Sequence, residues 1–109
     1  MQQQINKRKR RSDRSHVIYG IRCLVTNELY VGLTVCAGMS IQKALQYRWK
    51  RHVTRAYNQG KRWKLCEAIR KYGEHEFVID MIEKVRGKAE AHQRERELTK
   101  LLGATLNTV

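Results

Sequence analysis

Tyr19 and Tyr30 stand eleven residues apart, each in a short apolar run with a glycine close by: Val17-Ile18-Tyr19-Gly20 and Tyr30-Val31-Gly32. If the two runs pair as a hairpin, the phenols can lie near each other on one face. Gly32 then leaves room for another backbone, or a phosphate, to approach. Further along, Arg48 and His52 are four residues apart in a helical stretch and so share a face. An arginine can hold a phosphate with two donors at once, and an imidazole can relay a proton. Each residue also has a plain reading: strand tyrosines usually pack, and a helical arginine is usually solvated.

These residues need elements to position them. Val17 to Leu24 reads as a buried strand, Thr26 to Glu28 supplies turn chemistry, and Leu29 to Thr34 is a second strand, together a β-hairpin. Ser40 is placed to cap a helix over Ile41–Asn58, with Leu45, Trp49, Val53 and Ala56 on one stripe and Gly60 beyond its end. A second helix runs from Arg62 to Tyr72, with Gly73 after it. Phe77 to Ile82 is a third strand, and Lys88 to Leu102 a third helix ended by Gly103. The order β-β-α-α-β-α predicts an α+β fold, a small three-stranded antiparallel sheet flanked by helices. The expected folded domain is 17–109.

The whole chain has 109 residues, one domain's length, and carries 23 Lys and Arg against 10 Asp and Glu. A net charge of +13 on so small a body points to a polyanion, nucleic acid before any other. No apolar run reaches spanning length and no basic amphipathic helix has a continuous apolar face, so no membrane partner is expected. An intracellular, cytoplasmic protein is the expectation, with Cys23, Cys36 and Cys66 as free thiols. Residues 1–16 hold Lys7, Arg8, Lys9, Arg10, Arg11 and Arg14 with almost nothing apolar. They read as a disordered basic arm that follows phosphates, or else as a solvated tail. Lys43, Lys50, Arg51, Arg55, Lys61, Arg62 and Lys64 interleave with Tyr47, Trp49, Tyr57 and Trp63. This stretch is expected to turn Trp49 to the core and Lys50, Arg51 and Arg55 to phosphate.

The tyrosine pair resembles the two motifs that name the GIY-YIG nucleases, with Val17 at the first glycine's place. The resemblance extends through Arg48 and His52 to Glu95 in Glu95-Arg96-Glu97-Leu98-Thr99 and to Asn107, and so spans residues 17 to 107. It implies a DNA endonuclease that hydrolyses phosphodiester bonds with Mg²⁺ or Mn²⁺ held by Glu95. Glu97 is the nearest alternative ligand and Glu90 a more distant one. By the same resemblance Tyr19 accepts the water's proton, and nearby cations would have to lower its pKa. Tyr30 positions water or phosphate, Arg48 clamps the phosphate, His52 assists, and Asn107 braces the site. Thr99 and Leu102 follow Glu95 at the spacing of a core-packed face, while His16, His75 and His92 read as surface or packing residues. A phage or mobile-element nuclease is implied, monomeric or dimerising on DNA, with no small-molecule substrate. The alternative is a non-catalytic nucleic-acid-binding module with the same fold.

Overall fold

The computed structural model describes residues 14–107, so the cations Lys7, Arg8, Lys9, Arg10 and Arg11 lie outside the described residues. The first apolar run forms β1 (Ser15–Cys23), which begins two residues before the expected Val17 because Ser15 and His16 pair with Arg86 and Val85. Asn27 takes φ 65° and Thr26 Oγ1 accepts the Glu28 N–H at 3.2 Å, which reverses the chain into β2 (Leu29–Val35). Ser40 caps α1 (Ile41–Asn58) by accepting the Lys43 N–H at 3.1 Å. A shorter α2 (Lys64–Tyr72) ends at Gly73, whose φ of 91° turns its N–H onto the Ile69 carbonyl at 2.8 Å. A single 3-10 turn (Glu74–Glu76) leads into β3 (Phe77–Arg86), and α3 (Lys88–Leu101) follows.

The sheet is antiparallel in the order β2-β1-β3, which places the most apolar strand in the middle. On one face Val17, Tyr19, Ile21 and Cys23 of β1 pack against Leu45 and Ala56 of α1 and against Leu65, Cys66 and Ile69 of α2. On the other face Ile18, Leu29 and Val31 meet Leu98 of α3. Fully burying each large apolar side chain is worth about 1.5–3 kcal/mol, so this double-sided strand is the anchor of the fold. Three layers result, α1 and α2, the sheet, and α3, as expected for a sheet flanked by helices.

β3 continues four residues past the expected Ile82, because backbone pairing with Ser15–Ile18 carries the charged Glu83, Lys84 and Arg86 along. A bulge opposite the Ile18/Tyr19 step makes Ile82 the extra residue. The bulge resets the alternation, so Ile82 at the bulge and Val85 beyond it both join the α3 side. Trp49, expected in the core, is instead half-buried at its margin, with its ring 5.7 Å from that of Phe77. Cys23 and Cys66 are buried free thiols and Cys36 a half-buried one. No helix of the described residues is long and apolar enough to cross a membrane.

Candidate active site

Strand register decides how the tyrosines meet. Tyr19 pairs with Gly32 and Ile21 with Tyr30, so the two phenols are diagonal neighbours on the sheet face that carries α1. Their ring centroids are 6.2 Å apart. Gly32 lies beneath the Tyr19 ring: a Cβ there would stand 2.5 Å from the phenol oxygen and 2.8 Å from Tyr30 Cε1. The space expected for a phosphate above Gly32 is therefore filled by Tyr19 itself.

From α1, one helical turn apart, Arg48 and His52 reach the same phenol. His52 Nε2 lies 2.8 Å from Tyr19 Oη, and Arg48 Nε donates to that oxygen at 3.2 Å. The His52 ring meets Tyr30 edge-on at 5.2 Å between centroids. Burial, reinforced by Arg48, Arg55 and Arg51, pushes the His52 pKa down to about 3, so at neutral pH it is a neutral imidazole. When the phenol donates its hydrogen to Nε2, the hydrogen of His52 sits on Nδ1. That nitrogen is buried and has no hydrogen-bond partner among the described residues. The expected lowering of Tyr19 does not occur. Burial raises its pKa above the ordinary value, the neighbouring Tyr30 adds to this, and Arg48 only partly opposes it. Tyr30 is raised too, again by burial first. Both phenols keep their protons at neutral pH.

Glu95 arrives from the opposite layer. A cleft of about 420 Å³ wraps the outer edge of β2, where Tyr30, Thr34 and Arg48 meet Glu95, His92 and Lys88 of α3. Glu95 is half-buried, and desolvation lifts its carboxyl above the ordinary range although His92, Arg96 and Arg48 pull it down. His92 Nδ1 stands 3.6 Å from Glu95 Oε1. Glu97 points elsewhere and pairs with Arg94 at 3.1 Å, and Glu90 is exposed and does not line the cleft. The expected stripe of Glu95, Thr99 and Leu102 is not the packed one. Ala91 and Leu98 are the buried residues of α3, Leu102 is exposed, and Glu95 flanks that stripe on its cleft side.

Glu95 suits a hydrated Mg²⁺-like cation, which keeps several waters and needs only one or two carboxylates. A cation beside it would offset the desolvation of its charge. Among the described residues no group of three or more His, Cys, Asp and Glu is arranged to hold a metal. The fit is thus to a hard, water-rich ion rather than to a zinc-type cage.

Asn107 does not face the cleft chemistry. Its side chain pairs with the free edge of β2 as another strand would: Oδ1 accepts the Val31 N–H at 2.9 Å and Nδ2 donates to the Val31 carbonyl at 2.8 Å. Next to it, Leu106 N donates to the Leu29 carbonyl at 3.0 Å. The C-terminal segment so fixes the strand that carries Tyr30.

Lys50 and Arg51 lie with Tyr47, Thr54, Arg55 and Gln59 along a groove on the outer side of α1. Tyr47 in that groove, and Tyr57 and Trp63 outside it, are exposed rather than turned to the core. Sequence reasoning missed His16, Lys88 and His92 as cleft residues. His16 is buried, with Nδ1 donating to the Arg14 carbonyl at 2.8 Å. Only its place just before the tyrosine strand hinted at this.

Fold and cleft define a class: a small α+β domain that gathers phenol, guanidinium, imidazole and carboxylate at one edge of a three-stranded sheet. The family is GIY-YIG, to which the chain belongs: the model of the GIY-YIG catalytic domain matches residues 15–107. Among solved structures, the catalytic domain of the homing endonuclease I-TevI is similar with a TM-score of 0.65 and 26% identity, over 84% of this chain and 92% of that one. A mutant form of the intron endonuclease I-TevI catalytic domain gives a TM-score of 0.66 at 24% identity, over 85% and 89% of the two chains. No curated protein matches the chain.

Proposed function

We propose that this chain is a DNA endonuclease that hydrolyses phosphodiester bonds with a divalent cation, Mg²⁺ or Mn²⁺, at Glu95. The observation that carries the reading is convergence: Arg48 from one helical layer and Glu95 from the other line one cleft with Tyr30, and Tyr19 and His52 are bonded behind it. Family membership supports the nuclease class, and similarity to a homing endonuclease domain supports a mobile-element role.

Arg48 spends Nε on Tyr19, and its terminal nitrogens have no hydrogen-bond partner among the described residues. They are the donors for the scissile phosphate. Tyr30 borders the same cleft and orients the attacking water. Tyr19 is a protonated phenol, so it accepts the water's proton only while passing its own to His52 Nε2 at 2.8 Å. Burial of His52 opposes that transfer first and the arginines around it second, and the negative charge of an entering phosphate offsets the arginines. A divalent cation, when bound, supplies charge stabilisation on the phosphoryl oxygens. Lys50, Arg51 and Arg55 track the flanking backbone, as do Lys7 to Arg11, with salt-sensitive affinity.

Supercoiled plasmid incubated with the protein at low salt tests this. Conversion to open circles with Mg²⁺ or Mn²⁺, abolished by EDTA, is the expected result. Binding without nicking in either metal would refute it in favour of a non-catalytic binding module.

A further inference from the structure

Tyr30 lines two cavities. Beyond the cleft it shares with Arg48 and Glu95, it closes a pocket of about 350 Å³ whose other walls are His52, Trp63, Leu65, Leu106 and Asn107. That volume lies at the small end of ligand pockets, with room for one planar base and not for a duplex.

Trp63 is the solvent-facing wall, 42% exposed. It occupies the N-cap of α2, where Ser, Thr, Asp or Asn would bond the first helical N–H groups, and it makes no such side-chain bond. The position forgoes a side-chain cap and leaves part of an indole in water. Arg55 and Lys61 lie over the indole ring, 5.5 and 5.3 Å from its centroid, so a base that stacked there would take their place and leave both cations for its phosphates. His52 is almost fully buried and lines the same pocket, and its Nδ1 lacks a hydrogen-bond partner among the described residues.

We propose that this pocket takes the base of the nucleotide flanking the cut phosphate, unstacked from the helix, so that DNA with an unpaired base there is the preferred substrate. The inference rests on the nuclease reading for the position of the phosphate. Unstacking costs least at a mismatch, and Trp63 recovers part of that cost by stacking.

Binding and cutting separate the two ideas. Glu95→Gln protein is titrated with a fully paired 20-base-pair duplex and with the same duplex carrying one mismatch; tryptophan emission is followed in the Trp63 protein, and affinity in every variant by the anisotropy of a fluorescein on the duplex end. The mismatched duplex should quench more and bind about tenfold tighter, the preference one stacked base supplies. Trp63→Ala should lose that preference and Trp63→Phe keep most of it, with thermal unfolding showing each variant folded. In protein with Glu95 intact, Trp63→Ala should raise KM on the mismatched duplex by the same factor and leave kcat unchanged. Equal affinity of the parent for both duplexes, or a preference that survives in Trp63→Ala, overturns the proposal. A mismatch preference that depends on Trp63, in a protein that nicks nothing, upholds the base pocket and refutes the nuclease reading.

Discussion

The Tyr19 phenol rests on Gly32 of the neighbouring strand, so closely that a methyl group there would lie 2.5 Å from its oxygen. The glycine therefore serves the placement of a side chain rather than a turn. Gly32→Ala should destabilise the domain by about 1–3 kcal/mol, as overpacked cores do, and abolish nicking because the phenol must leave His52 and Arg48. Urea unfolding and plasmid nicking read both. An alanine variant as stable and as active as the parent would show that the ring has another place to go.

His52 ties the site to pH. The unfolded chain protonates this imidazole near its ordinary pKa of 6.5, while the folded protein resists until about 3. The group's contribution to stability is therefore whole above pH 6.5 and is lost as pH falls toward 3, at about 1.4 kcal/mol per pH unit. Between about pH 7 and 5, the parent should lose about 2 kcal/mol more than His52→Gln. Parallel pH profiles from urea melts would remove the argument for a neutral, buried His52.

The parts of this site that follow from local spacing were legible in the chain. Tyr19 and Tyr30 could be placed on one face from strand alternation, and Arg48 with His52 from the helical repeat. Glu95 could be named by resemblance, but the packing reason offered for it was wrong, since Leu98 rather than Leu102 meets the sheet. Which face α3 covers is set by topology and by the bulge at Ile82, and neither leaves a periodic trace. His16, Lys88 and His92 enter the cleft for the same reason. The raised pKa of Tyr19 was equally hidden, because the balance between burial and Arg48 depends on how deep the phenol sits.

Asn107 substitutes for a missing strand at the edge of β2, with two bonds to Val31. Asn107→Ala should cost about 1–3 kcal/mol in urea unfolding, by leaving a backbone N–H and C=O unpaired, and should slow nicking through the loosened Tyr30. Asn107→Asp should do no better, since a carboxylate has no hydrogen for the Val31 carbonyl. Stability unchanged in both variants would mean that the C-terminal segment is not a brace.

The central claim is that Arg48 and Glu95, carried by opposite layers, act on one phosphate. Single-turnover nicking of plasmid with Mg²⁺ by Arg48→Ala, Glu95→Gln, the double variant and Glu97→Gln measures this directly. Each single variant at the site should fall by roughly a hundredfold or more, the double variant should fall little further because the residues act as a unit, and Glu97→Gln should stay near the parent. Parent-like nicking by Arg48→Ala or Glu95→Gln, or activity lost with Glu97 and kept without Glu95, would contradict it.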